Sequence, residues 1–79
     1  MESVFERVRA ISADVFQVPA SQITFNSSPQ TVESWDSLQH LNLVLALEQQ
    51  FGIQFDLEEM ELMKTIGTVV DLVAARTEK

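Results

Sequence analysis

The residues with the most chemical potential sit together at Trp35-Asp36-Ser37-Leu38, with His40 one turn further on. Here a stretch rich in turn formers meets the most apolar segment of the chain, so the boundary reads as the start of a helix. A serine in the first turn of a helix is exposed and lies beside unpaired backbone N–H groups, where the helix dipole favours an anion. Asp36 has the residue type of an N-cap, its carboxylate able to accept those N–H groups. The pattern therefore suits a phosphoester on Ser37, and Leu38 would leave an apolar contact beside it for a partner to cover. Asp36, Ser37 and His40 also supply the residue types of a serine hydrolase. Working triads, however, draw their members from separated segments and add an oxyanion hole, whereas this trio falls within about one helical turn. No catalytic residue is expected, and His40 is read as a solvated or phosphate-neighbouring side chain. Trp35 is expected to anchor the end of the loop in the core.

The elements that must position these residues can be read from periodicity. Val4, Phe5, Val8, Ile11 and Val15 form an apolar stripe at the helical period over residues 3–16, with Ser3 and Glu6 in capping-box spacing and Pro19 closing the segment. Residues 18–36 then lose periodicity and form a long loop pinned by Ile23, Phe25, Val32 and Trp35. From Ser37 to Phe51, apolar residues surround most of the helix, as a central helix packed on several sides requires, and Gly52 stands where a left-handed C-cap would end it. Asp56 and Glu59 repeat the capping-box spacing before a short third helix, about Leu57 to Leu62. Thr65 caps a last helix whose face of Ile66, Val69, Val70, Leu72, Val73 and Ala74 returns to the core, with Arg76 and Lys79 at its C-terminal end. The expected fold class is all-α: a four-helix bundle of three longer helices and one short one, in a single domain over residues 1–79.

Composition limits the alternatives. With 79 residues and 46% of them hydrophobic, the chain can close one core but has little room for a buried catalytic cleft. No cysteine and one histidine leave neither a disulfide framework nor the ligands of a Cys- or His-based metal site. No run approaches the ~18 apolar residues of a membrane span, and the segment from Met1 to Arg7 lacks the layout of a signal peptide; a cytoplasmic location is the expectation. The net charge of −7 is unevenly placed: Arg7, Arg9, Lys64, Arg76 and Lys79 are the only basic residues, and residues 10–63 hold eight acids and none of them. Such a field repels nucleic acid and anionic lipid and favours basic protein surfaces. Glu58, Glu59 and Glu61 lack the loop pattern of a calcium site and read as a solvated face.

Asp36-Ser37-Leu38, followed by Leu43-Val44-Leu45-Ala46-Leu47-Glu48 and Phe51-Gly52-Ile53, resembles the attachment motif and recognition helix of acyl carrier proteins, and the resemblance covers essentially the whole chain. It implies that Ser37 receives 4'-phosphopantetheine from coenzyme A through a phosphopantetheinyl transferase, the terminal sulfhydryl then holding acyl groups as thioesters. It implies a supporting role for Asp36 and partner contacts at Leu38, Leu45, Glu48 and Met63, on a monomer without activity of its own. Further implied partners are acyl- or aminoacyl-loading ligases and enzymes of the ketosynthase and acyltransferase type. Val44, Leu47 and Ile66 are core positions that could part around an acyl chain. The chain departs from the family pattern at Trp35, where a small residue is common, and at Gln39, Asn42, Gln49 and Gln50, where acids are common. These departures favour a specialised pathway over bulk fatty-acid synthesis. An aminoacyl or peptidyl carrier is the nearest alternative, and an unmodified acidic interaction module the alternative of a different class.

Overall fold

A computed structural model describes residues 3–77, which contain four α-helices and no strand. The helices are α1 (Val4–Phe16), α2 (Ser37–Phe51), α3 (Leu57–Leu62) and α4 (Ile66–Thr77), and the long first loop carries a single 3-10 turn at Ala20–Gln22. The expected bundle of three longer helices and one short helix is therefore found; the expectation for Lys79 lies outside the described residues. Helices α1, α2 and α4 pack on one another, and α3 lies at their margin.

Each helix starts on a side chain that satisfies a first-turn N–H group. Ser3 Oγ accepts from Glu6 N at 3.1 Å, but the Glu6 carboxylate turns to Arg9 at 2.8 Å, so only half of the capping box expected there forms. The one at α3 is complete: Glu59 N donates to Asp56 Oδ1 at 2.9 Å and Asp56 N to Glu59 Oε1 at 3.2 Å. Helix α2 ends at left-handed Gly52 (φ 66°), whereas α1 ends at left-handed Gln17 (φ 59°), two residues before Pro19. At α4, Thr68 N reaches Thr65 Oγ1, while Ile66 N and Gly67 N donate to the carbonyls of Ser27 and Phe25, both at 2.9 Å. The long loop thus caps the last helix. Its carbonyl passes so near Gly67 that a Cβ there would lie 3.1 Å from the Phe25 oxygen.

The core consists of Val8 and Phe16 from α1, Ile23, Val32 and Trp35 from the loop, Leu43, Val44 and Leu47 from α2, and Ile66, Val69, Val70 and Val73 from α4. Phe55 and Met63 join it from either side of α3, which itself contributes no fully buried residue. One expectation for α2 is corrected. Leu43, Val44 and Leu47 are buried, but Leu38, Leu41 and Leu45 are 66%, 49% and 47% exposed. With extents of 33 × 30 × 19 Å, the molecule is too thin to enclose a helix on every side.

Arginines fasten the outer elements. Arg7 donates to the Gln50 carbonyl at 3.1 Å and lies over the Phe51 ring, joining α1 to the end of α2. Arg76 donates to the Gln54 carbonyl at 2.9 Å and pairs with Glu59, joining α4 to α3. The hydrogen bond from Arg76 is the main reason that the Glu59 carboxyl is held below its ordinary range.

Among the described residues, one polar group inside the core has no hydrogen-bond partner: the fully buried Ser12 Oγ on α1. A buried hydroxyl left unsatisfied costs about 1–3 kcal/mol, and alanine is also the better helix former. Ser12→Ala is expected to raise stability by about 1 kcal/mol, or roughly 4–8 °C in Tm for a domain of this size. A thermal melt followed by circular dichroism reads the change, and a lower Tm would show that the hydroxyl has a partner after all.

Candidate functional site

Ser37 is the first residue of α2 and is exposed. Asp36 is its N-cap, with extended backbone (φ −101°, ψ −174°) and Oδ1 accepting from Gln39 N at 2.9 Å. The backbone N–H of His40 bonds the Asp36 carbonyl at 2.8 Å and begins the helical ladder. The N–H groups of Ser37 and Leu38 remain at the positive end of α2, beside the serine hydroxyl, where negative charge is favoured. The local chemistry is thus that of an exposed alcohol on a rigid helix start suited to a phosphate ester. It is not that of an activated nucleophile, because His40 directs both ring nitrogens elsewhere and no hydrogen bond joins it to Ser37 among the described residues.

Of the two settings expected for His40, solvated or phosphate-neighbouring, the first does not hold: the ring is half-buried and both nitrogens have protein partners. Trp35 Nε1 donates to its Nδ1 at 3.0 Å, and its Nε2 lies 2.9 Å from the Met60 carbonyl oxygen. An indole N–H can only donate, so Nδ1 accepts and the proton resides on Nε2, which donates to Met60. Trp35 anchors the loop as expected: it is 3% exposed and stacks on Phe16 with ring centroids 5.1 Å apart.

Beside Ser37, an open pocket of about 850 Å³ lies between the loop, α2 and α3. Trp35, His40, Val44, Met60 and Met63 form much of its wall, and Asp36, Glu61 and Lys64 are its charged lining residues. Of the three core residues considered as acyl contacts, Val44 lines this pocket, while Leu47 and Ile66 are fully buried and do not.

The structure divides the expected partner contacts. Leu38 and Leu45 are exposed on α2. With Leu41, they form an exposed stripe running away from Ser37 at spacings of three and four, a period legible in the sequence. Met63 is corrected: it is 2% exposed and belongs to the core, because the chain turns inward after α3 to reach α4. Glu48 is half-buried, and its Oε2 accepts from Phe55 N at 2.8 Å, so the carboxylate supports the turn after α2 and is only partly available to a partner. Helix α2 therefore presents an apolar stripe flanked on one side by uncharged Gln39, Asn42, Gln49 and Gln50, and the exposed Glu58 and Glu61 stand on α3.

Residues 6–75 match the family described as "Phosphopantetheine attachment site". The chain is 38% identical over 76 residues to an acyl carrier protein of Clostridium acetobutylicum, covering 96% of this chain and 99% of that one. It is 31% identical over 75 residues to an acyl carrier protein of Petrotoga mobilis, covering 95% and 88%. Its fold is similar to the solution structure of the holo acyl carrier protein from Geobacter metallireducens, with a TM-score of 0.84, 32% identity and coverage of 92% of this chain and 84% of that one.

Proposed function

Because the chain belongs to the acyl carrier protein family, whose members are carriers and not enzymes, we propose that Ser37 is the residue that bears its 4'-phosphopantetheine and that the chain serves as a carrier domain. The observation that carries this reading is the exposed serine at the first position of a side-chain-capped helix. That setting fits the group: the hydroxyl is open to a transferase, Asp36 rigidifies the turn that presents it, and the first-turn N–H groups favour the esterified phosphate. When attached, the group supplies a thiol on a flexible arm, which holds acyl cargo as a thioester. The chain's contribution is to bind, orient and deliver: tethering raises the effective concentration of cargo at each partner's site.

The partners are a phosphopantetheinyl transferase, an acyl-loading ligase, and enzymes of the ketosynthase and acyltransferase type. They meet the stripe of Leu38, Leu41 and Leu45, with charge attraction from Glu58 and Glu61 acting mainly on encounter rate and partner choice. The near-neutral face of α2 supports a specialised lipid or secondary-metabolite pathway, fatty-acid or polyketide in chemistry, over bulk fatty-acid synthesis. The same face supports the second reading, an aminoacyl or peptidyl carrier, for which the loading ligase would be aminoacyl-specific. The carrier acts as a monomer in the cytoplasm; no described helix is long and apolar enough to cross a membrane. Incubation with coenzyme A and a broad-specificity transferase, read by intact mass, is expected to add one arm per chain. An unchanged mass would sink the reading.

A further inference from the structure

His40 sits where three elements meet, and its two ring nitrogens have different partners. Trp35, from the loop, donates to Nδ1 at 3.0 Å, and Nε2 donates to the Met60 carbonyl in the last turn of α3 at 2.9 Å. This pairing exists only for the neutral ring with its proton on Nε2. An imidazolium has N–H donors on both sides, so Nδ1 would face the indole N–H donor to donor. The bond to Met60 can persist in that state, because a carbonyl at a helix end accepts from a cation.

We infer that His40 is a proton-operated latch on the pocket beside Ser37: neutral, it ties the loop to α3 across α2, and a proton taken from solvent onto Nδ1 releases Trp35 from that tie. Both rings line the pocket, but Trp35 is nearly enclosed and stacked on Phe16 whereas His40 is only half-buried, so the imidazole is the ring that moves. The charged groups lining the pocket with it are Asp36 at the head of its own helix, Glu61 on α3 and Lys64 beyond α3; α1 and α4 contribute no lining residue. Helix α3 keeps its bond to the ring but loses the connection that runs through it to the loop. Six residues are too few to hold a helix by themselves, and α3 has no fully buried residue of its own between the Phe55 and Met63 anchors.

Trp35 is the only tryptophan, which makes the latch observable in the unmodified chain. The test is therefore independent of whether Ser37 accepts the arm, and its failure would leave the carrier reading intact. Imidazoles generally change charge between about pH 5 and 8. On going from pH 7.5 to 5.5, indole N–H exchange, corrected for the intrinsic effect of pH, is expected to quicken by up to about tenfold, the order of one net hydrogen bond. Trp35 emission is expected to change with the same midpoint. His40→Gln offers an acceptor and a donor at every pH and is expected to abolish both responses, while His40→Phe is expected to show fast exchange throughout. A response in His40→Gln equal to that of the native chain would overturn the latch. Should either variant fail to fold, nitrogen chemical shifts of the native ring decide: Nδ1 unprotonated and Nε2 protonated at pH 7.5 supports it, and the opposite tautomer overturns it.

Discussion

Ser37→Ala is expected to keep its unmodified mass under conditions that convert the native chain completely, with no measurable residual modification. The loss is absolute because the acceptor oxygen is removed, and its cause is separable from folding. Ser37 is exposed and makes no side-chain hydrogen bond among the described residues, and the cap of α2 belongs to Asp36. A substitution at such a surface position changes stability by no more than about 0.5 kcal/mol. The circular dichroism spectrum and Tm of Ser37→Ala should therefore match those of the native chain. Ser34→Ala, three residues earlier, should be modified as before. Modification that persists in Ser37→Ala would move the attachment point elsewhere. Retention of cellular function by Ser37→Ala would favour the unmodified interaction module instead.

Trp35→Ala is expected to unfold much of the population at 37 °C. Removing a buried tryptophan costs about 3–5 kcal/mol, and a domain of this size has only about 3–5 kcal/mol of margin. The site multiplies the damage: the indole stacks on Phe16, ends the loop that caps α4, and supplies the donor for His40 Nδ1. Trp35→Phe keeps an aromatic ring for the stack but leaves that nitrogen without its donor, and should lose about 1–3 kcal/mol. Thermal melts by circular dichroism rank the three chains; a native Tm in Trp35→Ala would mean that the ring does not anchor the core. Modification of Ser37 should fall in Trp35→Ala as well, but together with helicity, which distinguishes it from Ser37→Ala.

The features that the sequence made legible are those decided within a few residues. The Asp36 cap, the Gly52 stop, the Asp56–Glu59 capping box and the Thr65 cap each depend on a backbone group one turn away, and each forms. The features that escaped it depend on contacts across the fold. The ties that hold the His40 ring escaped because its second partner, the Met60 carbonyl, lies twenty residues on. Glu48 read as a surface acid because the N–H that it accepts belongs to Phe55, beyond the turn. Met63 was placed on the partner surface by resemblance, and the inward turn after α3 takes it into the core. Periodicity revealed that α2 is rich in leucine but not that the molecule measures only 19 Å along its shortest axis, and this thinness leaves Leu38, Leu41 and Leu45 uncovered.

The first turn of α4 bears on the order in which the chain folds. Two of its N–H groups, those of Ile66 and Gly67, find their acceptors in the first loop, roughly forty residues earlier in the chain. An end with those donors unsatisfied frays, so the last helix cannot finish before the first loop has settled, and the loop gains its tightest backbone anchors only from that helix. The two are expected to open as one cooperative unit. In native-state hydrogen exchange, the amides of Ile66, Gly67 and Val32 should share a single opening free energy; separate values would show that loop and helix come apart independently. A segment whose regular structure is limited to one 3-10 turn would then be among the last to close, and its closing would commit the whole chain.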